Sequence, residues 1–134
     1  MPVSEMGDYK AASAAIKTIQ SQKGPLFLSV GIYRPHVPWI VPQAYFDMYP
    51  PETLQLSERR VEDLDDLPER LKLVAGLEAK FGKCYHEKLV EKGYDKQFVR
   101  AYLASVTFAD EQVGRILDAW YASPYAETGY VVLW

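Results

Sequence analysis

Cysteine is nearly missing from this chain. The one present, Cys84, excludes an internal disulfide and any cysteine-rich zinc site, and it reads as a small, partly buried residue. No apolar run approaches the roughly 20 residues needed to span a bilayer, and the opening MPVSEMGDYK has no apolar core of a secretory signal. Basic excess is also lacking. The net charge is -3 and the sequence pI about 5.4, and the short basic pairs Arg59-Arg60 and Lys80…Lys83 are too sparse for a nucleic-acid footprint. There is no glycine-rich phosphate cradle, no G-x-S-x-G elbow and no CxxC.

What is present is the material of a packed core. Ten Tyr, five Phe and three Trp stand among 134 residues, with about half the chain hydrophobic and a quarter charged. That composition suits one globular domain at most. A disordered tail would have few aromatics and a large net charge.

Periodicity sets out an order of elements. Ala12, Ala15, Ile16 and Ile19 recur at helical spacing. Gly24 and Pro25 follow as stop signals, which predicts an amphipathic helix over 8–22. Residues 26–33, Leu-Phe-Leu-Ser-Val-Gly-Ile-Tyr, form a near-continuous apolar run of strand length, the pattern of a strand buried on both faces. Three prolines then punctuate residues 34–42, making a stiff loop. Gln43 to Tyr49 suits a short helical turn led by Pro42. The acidic run 62–66 leads into an interrupted helix expected over 68–81. Val99, Leu103, Val106, Val113, Ile116, Leu117 and Trp120 predict a long helix over 96–122, with Asp95 as its N-cap. Residues 130–134, Tyr-Val-Val-Leu-Trp, repeat the buried-strand pattern.

The expected fold class is therefore α/β: a partial parallel or mixed sheet flanked by helices, a βαβ unit preceded by a helix. The expected domain is a single partial one over 1–134, a slice of something larger.

Ligands of open α/β sheets lie beyond the carboxyl ends of strands. The loop after Tyr33 holds Arg34 and His36 at such a place, and the second such place would begin after Trp134. Proline on both sides holds the His36 backbone cheaply. An imidazole there can donate to an anionic oxygen, shuttle a proton, or simply bond loop backbone. Arg34 suits a charge-assisted anion contact or a solvated surface. The acidic cluster Glu62 to Asp66 lacks calcium-loop spacing and reads as a solvated loop. His86 has no second ligand at metal spacing, and Asp110 is a lone carboxylate. The residues by themselves give one anion-contact candidate, no complete catalytic set and no metal site.

Several ordered segments carry a resemblance. Residues 25–39, PLFLSVGIYRPHVPW, resemble the "PFFLAVGFxRPHxPW" segment of sulfatases, particularly their iduronate-2-sulfatase-like branch. Residues 42–50, PQAYFDMYP, resemble "PxxYFDLYP", and residues 63–68 resemble "DLDDLP". Residues 102–119 resemble "YxASVxFxDxQVGRxLDAL". Residues 128–134 resemble the start of "NTIVVLWSDHG", up to the point where its Ser-Asp-His-Gly would follow.

The resemblance implies the alkaline-phosphatase superfamily fold, a metal-dependent family and hydrolysis of sulfuric esters. It further implies a formylglycine made from a C-x-P-S-R motif and a calcium ion that binds sulfate, with cations and imidazoles neutralising its oxygens. By position His36 matches the family's sulfate-contacting histidine, and Arg34 takes a place that is often basic near the substrate mouth. Cys84, in Lys-Cys-Tyr-His, does not fit the formylglycine motif, and the family's calcium ligands have no counterpart here. Calcium and formylglycine are thus expected of the full-length enzyme, with no cofactor held by this chain.

The resulting expectation is a sulfatase segment that forms part of the sulfate-binding wall and is inactive alone. Its partner would be a sulfate ester in the parent enzyme, together with the remainder of the domain. The alternative is a non-catalytic anion-binding or interaction module derived from a sulfatase. The cellular location is left open, family members being periplasmic, extracellular or lysosomal.

Overall fold

A computed structural model describes residues 1–57, 65–71 and 85–134. They fall into two compact units, one of Met1–Tyr49 with Ala101–Trp134 and one of Pro50–Arg100.

The first unit is built on two helices. α1, Gly7–Ser21, buries Asp8, Ala12, Ala15 and Ile19. Ala12, Ala15 and Ile19 are positions of the expected stripe, whose fourth member, Ile16, is half-buried. The Gln22 N–H closes α1 on the Thr18 carbonyl at 3.0 Å. Gly24 then turns the chain at φ 118°, a conformation that favours glycine. α2, Gln43–Asp47, is a short turn after Pro42, pinned along its length by the Gln43 amide donating to Asp47 at 2.7 Å.

The long helix, α4, runs Asp95–Tyr121, and its residues from Ala101 onward belong to this unit. Its buried positions are Ala104, Ser105, Phe108, Ala109 and Gln112. Met6, Val41, Tyr45, Ala104 and Phe108 form the core, with Val3, Tyr9, Phe46 and Tyr49 packed against it. The rings of Tyr45 and Phe108 meet edge to face at 5.2 Å. Polar ties reinforce this packing. Arg115 donates to Gln112 at 2.7 Å and to Ser13 of α1 at 2.9 Å, and its guanidinium lies 4.0 Å from the Tyr9 ring centroid.

The expected apolar stripe of α4 sits about one residue round from the buried one. Val106 is exposed, and Leu103, Val113, Ile116, Leu117 and Trp120 are half-buried. The helix thus has two apolar faces. One, with Ala104 and Phe108, meets the core, and the other lines an open groove of about 700 Å³. Ile19 of α1, Leu28, Val30, Val113, Trp120 and Val132 are among the residues that line it.

The expected sheet is corrected here, because no strand forms among the described residues. Residues 26–33 alternate in burial, with Leu26, Leu28, Val30 and Ile32 half-buried and Phe27, Ser29, Gly31 and Tyr33 exposed. That is the side-chain alternation of an extended chain lying along the groove. Phe27 is 97% exposed and Trp134 96% exposed, so neither run is covered on both faces. Two parallel segments would leave half of their backbone groups unpaired, and a parallel sheet needs cover on both sides. The residue pattern belongs to a strand, but the described residues bring neither the neighbours nor the second layer.

A 3-10 turn at Pro124–Glu127 follows α4. The Tyr125 hydroxyl donates to the Gln22 and Gly24 carbonyls at 3.1 and 2.9 Å, fastening this turn to the end of α1. Trp120 stacks on Tyr125 at 5.6 Å. A Cβ at Gly129 would collide with the Trp120 ring and lie 2.8 Å from the Tyr125 carbonyl oxygen.

In the second unit, a 3-10 turn spans Pro51–Thr53 and α3 spans Tyr85–Glu91. The Tyr94 N–H reaches back to Leu89 at 2.8 Å, and Gly93 N–H reaches Val90 at 3.0 Å, with Gly93 at φ 66°. This is a Schellman ending, in which a left-handed glycine satisfies the last helical carbonyls. Most of the expected helix over 68–81, most of the acidic run 62–66, and Cys84 lie outside the described residues, as does the side chain of His86.

Candidate anion-binding site

The site candidate is the loop that follows Tyr33. Arg34-Pro35 and Val37-Pro38 are both cis peptides, and local backbone bonds from His36 N–H to Tyr33 O at 3.0 Å and Ile40 N–H to Pro38 O at 2.9 Å fold the segment tightly. Trp39 adds a bond from its indole N–H to the Pro35 carbonyl at 2.5 Å.

Asp8, in the first turn of α1, anchors this loop. Its side chain is nearly buried, and its two oxygens accept the backbone N–H groups of Tyr33 at 2.7 Å and Arg34 at 3.3 Å. The same carboxylate stands 3.6 Å from Arg34 Nη1. A buried charge persists only when paired and hydrogen-bonded, and Asp8 has both kinds of partner.

Arg34 is drawn inward by this arrangement. Its guanidinium faces Asp8 and donates from Nη2 to the Ile40 carbonyl at 3.0 Å, with a side-chain exposure of 15%. Its Nε is buried with no hydrogen-bond partner.

His36 is turned the other way, to solvent. Its Nδ1 lies 2.9 Å from the Tyr33 hydroxyl oxygen and 2.7 Å from the Val37 carbonyl oxygen. The Tyr33 hydroxyl itself donates to Val37 O at 2.7 Å. Nothing among the described residues bonds Nε2.

The two expected site residues are not bonded to each other. They flank one ring, that of Tyr33, with the Arg34 guanidinium 5.4 Å from its centroid and the His36 ring 4.9 Å away. Arg34 also borders the apolar groove.

Asp8 and Tyr33 were absent from the expected site. Asp8 carried no local signal, since its partners lie 25 and 26 residues downstream. Tyr33 stood as the last residue of a strand pattern, although its spacing of three from His36 is that of a turn.

Other charged candidates go elsewhere. Asp110 is exposed on α4 beside the groove, and Asp65 and Asp66 are exposed. Glu111 accepts the Tyr45 hydroxyl at 2.6 Å. Burial above all, then the Glu111 carboxylate, pushes the Tyr45 hydroxyl up to about 12. No three His, Cys, Asp or Glu converge as a metal site among the described residues. Among the described residues, the carboxylate against the loop is that of Asp8, already spent on two N–H groups and a guanidinium, so these residues do not fit a calcium ion.

Comparison with known proteins gives this loop its context. A sulfatase of Formosa agariphila is 38% identical over 130 residues, covering 96% of this chain and 25% of the relative. The mouse iduronate 2-sulfatase is 26% identical over 133 residues, covering 89% of the chain and 23% of the relative. An arylsulfatase of Clostridium perfringens is 32% identical over 99 residues, with shares of 71% and 18%. No family model matches the chain, and no solved structure does.

The chain belongs to the sulfatases, a family of sulfuric ester hydrolases. It corresponds to a segment of such an enzyme, spanning about a quarter of the length of the curated relatives it matches.

Proposed function

We propose that this chain forms part of the sulfate-binding wall of a sulfatase, with His36 as the residue that meets the anion. The observation that carries the reading is the contrast within one loop. Its backbone and Arg34 are held from beneath by buried Asp8, while His36 stands exposed with Nε2 unbonded among the described residues. A ring held at one nitrogen and open at the other suits contact with an oxyanion. Protonated at Nε2 it donates a charge-assisted hydrogen bond, the stronger kind. Arg34 contributes from behind, fixing the loop through Asp8 and Ile40 and leaving a positive charge near the mouth.

Catalysis is assigned to the parent enzyme. Attack on sulfur needs the formylglycine and calcium that the family resemblance implies. Cys84 does not lie in the formylglycine motif, and the loop carboxylate is already occupied. No chemical step is therefore assigned to this chain alone. The chain's own contribution is orientation and charge complementarity toward a sulfate ester.

The test uses the 134-residue chain, titrated with inorganic sulfate while the two histidine side chains are followed by ¹H–¹⁵N NMR. The expected result is a saturable shift at His36, absent in His36→Ala, with no hydrolysis of a chromogenic aryl sulfate. A flat His36 titration, or turnover of the aryl sulfate by the isolated chain, refutes the reading.

A further inference from the structure

We infer that Tyr33 is a positioning residue that fixes the tautomer of His36, placing the neutral ring's proton on Nδ1 and its lone pair on Nε2. The argument is one of donors and acceptors. The Val37 carbonyl oxygen has lone pairs only, and it lies 2.7 Å from Nδ1. Two lone pairs at that distance would repel, so a ring held there carries its hydrogen on Nδ1, and the Tyr33 hydroxyl, bonded to both groups, is what holds it there.

The Tyr33 hydroxyl completes the set. Its own hydrogen goes to Val37 O at 2.7 Å, which turns an oxygen lone pair toward Nδ1–H at 2.9 Å. Three groups thus share two hydrogens in a closed triangle, with each hydrogen placed between a donor and an acceptor. The reverse arrangement, a Tyr33 hydroxyl donating to a bare Nδ1, leaves both Nδ1 and Val37 O as acceptors facing each other. The ring contact of 4.9 Å at an interplanar angle of 40° holds the imidazole against Tyr33. Trp39, bonded to Pro35 O, braces the same loop.

The tautomer of a histidine is set by the partner of its other nitrogen, so this assignment has a consequence at Nε2. The neutral ring offers an acceptor there and cannot donate to an oxyanion. It becomes a donor at Nε2 only by taking up a proton. Anion contact through His36 therefore draws a proton onto Nε2 rather than rearranging a neutral ring. The value of the fixed tautomer for binding rests on the proposed function, but the tautomer itself does not.

Long-range ¹H–¹⁵N correlation on the ¹⁵N-histidine-labelled chain, without sulfate and with the rings neutral, reads each tautomer directly. A His86→Gln variant leaves His36 as the single histidine and assigns its signals. The expected result is a His36 ring protonated at Nδ1, with that form losing its predominance in Tyr33→Phe. A wild-type ring protonated at Nε2 overturns the proposal, a readout that leaves Tyr33 and its loop untouched. A tautomer ratio unchanged in Tyr33→Phe, with backbone amide shifts otherwise preserved, removes the role of Tyr33. A correct tautomer together with a flat sulfate titration would leave this inference standing and sink the proposed function.

Discussion

At the scale of single residues, the first unit depends on polar groups placed inside an apolar frame. Tyr45 is the clearest case. It is buried in the core beside Phe108 while its hydroxyl donates to Glu111 at 2.6 Å. Both burial and the carboxylate disfavour the phenolate, and they raise the hydroxyl to about 12 from an ordinary value near 10. The folded state therefore holds this proton more tightly than the unfolded chain. The stability it contributes is complete below about pH 10 and is lost as pH rises toward about 12. Alkaline unfolding of the wild type should accordingly steepen in that window, and Tyr45→Phe should flatten it. Superimposable alkaline profiles for the two proteins would contradict this account. His36 illustrates the opposite use of a polar residue, held at one nitrogen and open to water at the other.

At the scale of elements, the decisive contact is the one that joins α1 to the loop after residue 33. Helix α1 was legible because its small residues recur at helical spacing, and α4 was legible to within a residue at each end. The tie between α1 and the loop was not. Asp8 looked like an ordinary acidic residue in a helix first turn, and only folding reveals that two distant N–H groups converge on it. Replacing Asp8 with Ala would strand those N–H groups and the Arg34 charge, at a cost of about 2–4 kcal/mol. Asp8→Asn, which keeps one acceptor oxygen, should lose less. Denaturant melts of the three proteins check the ordering, and an Ala variant as stable as wild type would show that the anchor contributes little. The strands were misread for a physical reason as well. Periodicity reports what environment a segment is suited to, and residues 26–33 are suited to a covered sheet that the described residues do not assemble. The rotated stripe of α4 has the same origin. The larger apolar residues predicted the core face, yet two small side chains, Ala104 and Ser105, and the Phe108 ring make it.

At the scale of the molecule, the first unit presents an open apolar groove. It carries an apolar lining from α1, α4 and both extended runs, and Phe27, Tyr130, Val132, Leu133 and Trp134 are each more than 70% exposed. Monomeric proteins rarely leave so much contiguous apolar surface open. The chain should therefore bind an amphiphilic fluorescent dye strongly in its folded state. Paired substitution of Phe27 and Val132 by Ser should reduce that signal while changing unfolding stability by no more than about 0.5 kcal/mol per site. A dye signal untouched by these changes would mean that the groove is not the binding surface. Sulfatase ancestry was legible at this scale from ordered motifs along most of the chain. The anion candidate His36 was legible from its place after an apolar run, whereas Tyr33 was not, because its role depends on the path of a loop.

Gly129 shows how packing constrains heredity. Every glycine codon begins with the same two bases, so any change in either of them adds a side chain or stops translation. Here the first added carbon would strike the Trp120 ring that stacks on Tyr125. Drift at this codon is thus confined to its silent third base, since even a smaller residue 120 would leave the added carbon 2.8 Å from the Tyr125 carbonyl oxygen. The limit on that codon is set by one ring and one backbone carbonyl.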